Sequence, residues 1–250
     1  MAEEWIYGIH AVEAAVQAGE VERLWMAQER AADARVLAIR QAAAASGIAV
    51  VLEPAQALGR RCRSEQHQGV LARALPLPPR DWKSFAGQLP DNAFLLMLDG
   101  VTDPHNLGAC LRSAEAAGVD AVLLPKDNAC GITATVRKAA AGAASRVPVF
   151  FLTNLARSLK DLQERKFWVA GLAGEAEQSM YAADLRGPLV LVMGSEERGM
   201  RRLIREHCDF LLRIPMAGQI ESLNVSVATG IVLFEAHRQR SGEAVARHSR

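Results

Sequence analysis

Three stretches of the chain place amides, carboxylates, glycines and an arginine beside apolar runs. They are Leu98 to Ala114 (LDGVTDPHNLGACLRSA), Leu189 to Met200 (LVLVMGSEERGM) and Arg213 to Ala236 (RIPMAGQIESLNVSVATGIVLFEA). In the first, Asp103 is suited to cap a helix opening at Pro104, since both residue types are favoured at helix starts. Leu107, Cys110, Leu111 and Ala114 then form a core stripe. Arg112 falls off that stripe, two turns from His105, where an arginine alone reads as a solvated side chain. In the second stretch an apolar strand runs into Gly194-Ser195-Glu196. Loops at the carboxyl ends of strands bind ligands in open α/β sheets, although a plain solvent-facing turn has the same sequence. In the third, Ser222 is the expected cap of an apolar helix. Asn224, in its first turn, carries an amide that needs partners from a ligand or a facing loop.

Other chemistries fail on the residues they require. Gly194-Ser195-Glu196-Glu197-Arg198-Gly199 has the glycine spacing of a nucleotide phosphate loop. Met200-Arg201 follow, however, where that loop needs Lys and Ser or Thr, and two carboxylates would repel a triphosphate. No G-x-G-x-x-G follows an expected strand, and G-x-S-x-G and H-E-x-x-H are absent. Cys62, Cys110, Cys130 and Cys208 lack the close spacing of a structural zinc site, so no metal is expected. They read as free thiols of a reducing cytosol.

The elements that must carry these stretches alternate in type. Up to residue 75, Ile9–Ala18, Ala31–Ala45 and a segment after Pro54 read as helices. Val21–Met26, Ile48–Leu52 and Gly69–Ala74 read as strands. The run Ala74-Leu75-Pro76-Leu77-Pro78-Pro79-Arg80 stiffens a connector, because proline fixes φ and lacks an N–H. The expected division is therefore a small domain over 1–75, a linker over 76–90 and a larger domain over 91–250. In the larger part, strands are expected at Ala93–Leu98, Ala121–Leu124, Val147–Leu152, Phe167–Ala170, Leu189–Met193 and Phe210–Ile214. Helices fall at Pro104–Gly118, Ala134–Ala141, Leu155–Arg165 and Met200–His207. This alternation predicts an α/β fold with a mostly parallel sheet covered on both faces. The final helix, Ser222–Arg240, is apolar around most of its start and is expected to be buried in its own domain or against a partner subunit.

Composition narrows the classes. With 250 residues, 50% of them hydrophobic and 23% charged, the chain is neither disordered nor too small for a proper core. No stretch reaches the roughly 18 to 20 apolar residues of a membrane span. The acidic start Met1-Ala2-Glu3-Glu4 is unlike a signal peptide, so a cytoplasmic protein is expected. Lys and Arg number 29 against 28 Asp and Glu, so any nucleic acid must be held by local clusters rather than global charge. Arg60, Arg61 and Arg63 beside His67 form one such cluster. Arg198, Arg201, Arg202 and Arg205 form another beside the Gly194 loop.

Taken in order, the three stretches closely resemble the motifs of the SpoU (TrmH) family of RNA ribose 2′-O-methyltransferases, within the SPOUT superfamily. Ile6-Tyr7-Gly8-Ile9-His10-Ala11-Val12 and His67-Gln68-Gly69-Val70 resemble that family's small L30e-like substrate-binding domain. The likeness is greatest to the bacterial members that methylate a guanosine ribose of 23S rRNA. It implies a catalytic domain with a deep C-terminal trefoil knot, S-adenosylmethionine as methyl donor, and a homodimer whose active site uses both subunits. It implies 23S rRNA or a ribosome-assembly precursor as substrate, with the target guanosine in the P-loop of the peptidyl transferase centre. By motif position, Gly194, Ser195, Ile214, Met216 and Leu223 should line the cofactor pocket. Asn106, Arg112, Glu196, Ser222 and Asn224 should form the catalytic set, and Arg60, Arg61, Arg63, His67, Arg198 and Arg202 should contact RNA. Glu197 departs from the family, whose members often carry glycine there. A tRNA methyltransferase of the same family and a non-catalytic RNA-binding homologue are the competing readings.

Overall fold

The structure is a computed structural model that describes residues 4–75, 81–220 and 222–242. Its chain falls into two compact units, Met1–Pro79 with Gly131–Arg146, and Arg80–Cys130 with Val147–Arg250.

The first unit runs β1 (Trp5–Tyr7), α1 (Ile9–Gln17), β2 (Val21–Ala27), α2 (Ala34–Ala45), β3 (Ala49–Glu53), α3 (Ala55–Cys62) and β4 (Val70–Ala74). Its sheet has the order β1-β4-β2-β3. Only the β2–β3 pair is parallel, and β4 runs antiparallel to both β1 and β2. The alternating apolar residues of β2 and β4 point Leu24, Met26, Val70 and Ala72 into one core with Val12, Val16, Val36 and Ile39. Helix α2 starts three residues later than expected. Gln28–Arg30 form a 3-10 turn, and Asp33 then caps the helix by accepting from the Arg35 and Val36 amides.

The second unit opens with α4 (Trp82–Gly87), β5 (Phe94–Asp99), α5 (Pro104–Ala116) and β6 (Ala121–Pro125). The expected linker thus divides: residues 76–80 lie outside the described residues, and α4 is a helix of the second unit. Trp82 and Phe85 stack on Phe150 with ring centroids 5.2 and 4.8 Å away, so apolar burial orders this segment rather than leaving it a spacer.

The chain then supplies the first unit with α6 (Ala134–Ala139) and α7 (Ala143–Arg146). Assigning the whole of 91–250 to the larger domain therefore misplaces residues 131–146. Helix α6 packs on β1 and α7 on α1. Gly142 has φ +96°, and a Cβ there would lie 2.8 Å from Ala14 Cβ and 3.0 Å from the His10 carbonyl; only glycine allows that approach. Arg137, 3% exposed, donates from Nε to Glu4 (3.0 Å) and from Nη1 to the buried Glu20 (3.1 Å). Ser145 Oγ donates to the same Glu20 carboxylate at 2.6 Å. A buried charge pair with added hydrogen bonds specifies one docking geometry, and sequence periodicity carries no trace of it.

The rest of the second unit is β7 (Val149–Leu152), α8 (Leu155–Glu164), β8 (Trp168–Leu172), β9 (Gln178–Ser179), β10 (Leu189–Gly194), α9 (Arg202–Glu206), β11 (Phe210–Arg213) and α10 (Val225–Ser241). All pairs of the sheet are parallel, in the order β7-β6-β5-β10-β8-β11-β9. Residues of β5 and β10 are buried along both faces, as a central strand of a covered parallel sheet requires. Leu95, Met97, Val190 and Val192 meet α8 residues Leu155, Leu159 and Leu162, while α10 packs on β10 and α5. The chain leaves β5 for β6 and β7 on one side and for β10, β8 and β11 on the other. The carboxyl ends of β5 and β10 thus flank a topological switch point, where open α/β sheets bind ligands. Helix α10 is less buried than its composition implied, because Val227 and Phe234 are exposed.

Arg137→Met should destabilise the protein by about 3–5 kcal/mol, since it leaves Glu20 buried without its counter-ion. Urea unfolding checks this, and the Glu20→Gln/Arg137→Met pair should recover much of the loss.

Candidate active site

The site is assembled around one oxygen. Glu196 Oε1 accepts from Asn106 Nδ2 (3.1 Å), Asn224 Nδ2 (2.5 Å) and the Val225 amide (3.0 Å). Asn224 Nδ2 also donates to Asn106 Oδ1 at 2.9 Å. Each partner is delivered by a local rule. Asp103 caps α5 by accepting from the Asn106 amide at 2.8 Å, which fixes Asn106 in the first turn after Pro104. Asn224 caps α10, its Oδ1 accepting from the Ser226 and Val227 amides. The expected cap was Ser222; that residue lies two positions earlier, and Asn224 takes the role because its own backbone is extended there. A carboxylate on the Val225 amide also faces the positive end of the α10 dipole.

Glu196 reaches this point through a tight loop. Ser195 and Gly199 exchange two backbone hydrogen bonds, 3.0 and 2.9 Å long, around Glu196-Glu197-Arg198. Gly199 adopts φ +64° to close the turn. Gly194 lies directly under it: a Cβ there would stand 2.1 Å from both Gly199 C and Met200 N. The glycine at this position is therefore demanded by packing. The turn also explains why α9 begins at Arg202 rather than at Met200 as expected.

The loop is a wall between two cavities. One, of about 530 Å³, is lined by Gly194, Ser195, Glu196, Ile214, Met216, Ser222 and Leu223, with Leu172, Met193 and Met200. The other, of about 540 Å³, lies over the end of β5 and is lined by Asp99, Thr102, Asp103, Asn106, Asn128, Ser195, Glu196, Glu197, Arg198 and Arg201. The structure thus brings together in one cleft all five residues expected to line a cofactor pocket. Its size suits a small cofactor. Its apolar side chains and strand-end backbone groups suit an adenosine-type molecule, and the Glu196 carboxylate lies on its wall. Glu175, at the rim, ion-pairs with Arg205, and that guanidinium together with a backbone hydrogen bond holds its carboxyl below the usual range.

Three of the five expected catalytic residues line these cavities, Asn106, Glu196 and Ser222; Asn224 lines neither but is hydrogen-bonded to Asn106 and Glu196. Arg112 does not join them. It is exposed, lines neither cavity and makes no hydrogen bond or ion pair among the described residues. Of the expected RNA-contacting residues, Arg198 lines both cavities, and Arg202 is exposed with an ion pair to Glu206 at 3.6 Å. In the first unit, Arg60 and Arg63 are exposed. Arg61 is occupied, donating twice to Glu53 and lying over the Trp25 ring. His67 is a correction: it is buried, and its Nδ1 accepts from the Gly69 amide at 3.0 Å. It shapes the turn into β4 instead of facing solvent.

One site residue escapes the sequence reading, Asp99, and with it the anchoring of Arg201, which the sequence places only in a basic cluster beside the Gly194 loop. Asp99 ends β5, with its side chain 0% exposed, and accepts from Arg201 at both its backbone and its guanidinium. An acidic residue closing an all-apolar strand was the available signal. The thiols take no part. Burial pushes Cys110 up to about 11 and Cys208 up to about 12, and Cys62 and Cys130 are also raised by burial. Among the described residues no group of His, Cys, Asp or Glu is placed to hold a metal, and no helix is long and apolar enough to cross a membrane.

A parallel α/β domain with its cleft at the β5–β10 switch point, and a separate α/β unit before it, agree with comparison to known proteins. Residues 93–234 match the SpoU rRNA Methylase family, and residues 5–80 match the RNA 2′-O ribose methyltransferase substrate binding family. The chain belongs to the SpoU methylase family. It is 51% identical to the 23S rRNA (guanosine-2′-O-)-methyltransferase RlmB of Shewanella oneidensis over 94% of this chain and 97% of that one. It is 50% identical to the RlmB of Escherichia coli over 95% and 99%. The fold is shared with the SpoU methyltransferase AviRb of Streptomyces viridochromogenes, solved with AdoMet, at a TM-score of 0.81 and 21% identity, covering 95% of this chain and 90% of that one.

Gly194→Ala should abolish cofactor binding, because the added methyl collides with backbone at Gly199 and Met200 and the loop must move. Titration calorimetry with S-adenosylmethionine checks it. Thiol labelling of the native protein should leave Cys110 and Cys208 unmodified at pH 8, more than two units below their values.

Proposed function

We propose that the chain is an S-adenosylmethionine-dependent methyltransferase that modifies the ribose 2′-oxygen of a guanosine in 23S rRNA. The observation that carries this reading is the Glu196 wall. Asn106, Glu196 and Asn224 are locked together on it, with an apolar cleft fit for the cofactor on one side and a polar cavity on the other. The identity to RlmB proteins of two bacteria over nearly the whole chain supports the same substrate. We assign the target to the P-loop of the peptidyl transferase centre on that likeness. An rRNA substrate supports a cytoplasmic enzyme.

The bound cofactor supplies an electrophilic methyl on a sulfonium. The protein's own residues do the rest. Gly194, Ser195, Ile214, Met216 and Leu223 hold the cofactor by shape and backbone contacts. Asn106, Glu196 and Asn224 orient the groups meeting at the wall, with Ser222 on the cleft side. A 2′-hydroxyl is a poor nucleophile until its proton is shared or removed. Arginine stays protonated at neutral pH and so has no free site to accept that proton; Arg112 is assigned to the RNA phosphate and to the developing oxyanion. Arg60, Arg63, Arg198 and Arg202 add phosphate contacts.

Arg112 stands apart from the wall of its own chain, and α10 leaves Val227 and Phe234 uncovered. Both observations support a homodimer whose sites draw on two subunits. The position of β10 between β5 and β8, with the 195–200 turn tight against Gly194, supports a knotted threading of the second unit. A tRNA substrate is disfavoured by the likeness to RlmB proteins over nearly the whole chain.

Mapping 2′-O-methyl groups on 23S rRNA from cells with and without the protein tests the assignment. A single guanosine should lose its mark, whereas an unchanged 23S map beside a lost tRNA mark would select the other reading. Arg112→Ala should abolish methyl transfer while calorimetry shows S-adenosylmethionine still bound. Arg112→Lys should remain strongly impaired, since a point charge does not replace a planar fork.

A further inference from the structure

Asp99 and Arg201 make an arrangement that the reaction described above leaves without a task. The Asp99 carboxylate, at the last position of β5, has no exposed side-chain surface. Its Oδ2 accepts from the Arg201 amide at 2.8 Å, and its Oδ1 accepts from Arg201 Nε at 2.7 Å and lies 2.6 Å from Nη2. Backbone and side chain of one arginine are thus fixed by one buried group. The Arg201 side chain nevertheless remains 56% exposed and lines the polar cavity beside Arg198. A guanidinium has five N–H donors in a rigid fork. Asp99 occupies the Nε side, so the Nη1 edge is left for a ligand. Asp99 thus fixes the direction of a guanidinium whose outer edge still faces solvent and the cavity.

We propose that Arg201 clamps a phosphodiester of the RNA strand next to the methylated ribose, and that Asp99 is the positioning residue that aims it. This rests on the proposed function for the identity of the RNA. The chemistry favours phosphate over a base edge. A fork held in one plane beside a second arginine matches the bidentate geometry of phosphate oxygens. The cavity's other charged groups are carboxylates at Asp103, Glu196 and Glu197, which would repel a phosphate elsewhere. The anion is thereby confined to the Arg198–Arg201 side. Asp103 and Glu196 are engaged through one carboxylate oxygen each, in capping α5 and in holding the wall.

The test uses the full chain with a 23S rRNA fragment containing the target guanosine. RNA affinity is measured across a salt series, S-adenosylmethionine affinity by calorimetry, and kcat and KM by methyl incorporation. Arg201→Ala should weaken RNA binding roughly tenfold, as expected for a lost hydrogen bond to a charged group. It should make the logarithmic salt dependence shallower by about one phosphate, raise KM for RNA and leave cofactor affinity unchanged. Arg201→Lys should keep the salt slope and recover only part of the affinity. Asp99→Asn should move RNA affinity in the same direction. The Asp99→Asn/Arg201→Ala pair should be no weaker than Arg201→Ala alone, because Asp99 acts through Arg201.

Equal loss of cofactor and RNA affinity in Arg201→Ala would mean a loop-folding role and overturn the proposal. Relaxed discrimination between guanosine and adenosine at the target, at unchanged salt slope, would assign Arg201 to the base and overturn it as well. Wild-type protein that binds the fragment but never methylates it would instead refute the functional reading, while the binding arms still decide the role of Arg201.

Discussion

Everything at this site depends on where a single carboxylate oxygen stands. Glu196 Oε1 gathers Asn106 from α5, Asn224 from the α10 cap and the first amide of α10. Asn106 stands far in sequence from Asn224 and Val225, and besides this oxygen the two sides are joined by the bond from Asn224 to Asn106. Such a network is worth more than its separate pairs when every member is satisfied. The α10 N-terminus supplies part of that satisfaction, since its dipole favours a negative charge. The Glu196 wall and the start of a major helix are consequently one structure.

A second constraint sits beneath the first. The turn that carries Glu196 folds back against Gly194 so closely that no side chain fits between them. Strand, turn and helix cap then follow in fixed order from β10. Because β5 and β10 are register-paired neighbours, the ends of both strands meet the turn: Gly194 from below and Asp99 through Arg201. The wall separating the two cavities is pinned by packing at one end and by charge at the other.

Much of this was legible in the sequence because it rests on local rules. Apolar runs such as Phe94–Leu98 and Leu189–Met193 reveal strands by composition, and Leu107, Cys110, Leu111 and Ala114 reveal the buried stripe of α5. The Asp103-Pro104 start follows from capping preference. What stayed hidden depends on residues distant in the chain. Residues 131–146 belong with the first unit because Arg137 meets Glu20 and Glu4, pairs that no periodicity announces. His67 is expected to contact RNA, yet it is buried on a turn amide. Ser222 and Asn224 are both good caps, and the choice falls to Asn224 because the helix opens at Val225. Asp99 looked like the polar end of a strand until Arg201 closed on it. Recognition of the family rested on the order of three motifs, whereas composition, with its balanced charge, pointed nowhere in particular.

That balanced charge acquires a physical meaning here. The chain cannot rely on long-range attraction to hold RNA, so its exposed arginines must act at fixed positions. The central claim is that Glu196 organises methyl transfer, and single-turnover guanosine 2′-O-methylation by Glu196→Ala, with hydrogen exchange at the α10 start, tests it most directly. A loss of at least a hundredfold in the transfer rate is expected, together with faster exchange at Val225. Transfer at the wild-type rate, with the helix start equally protected, would contradict it.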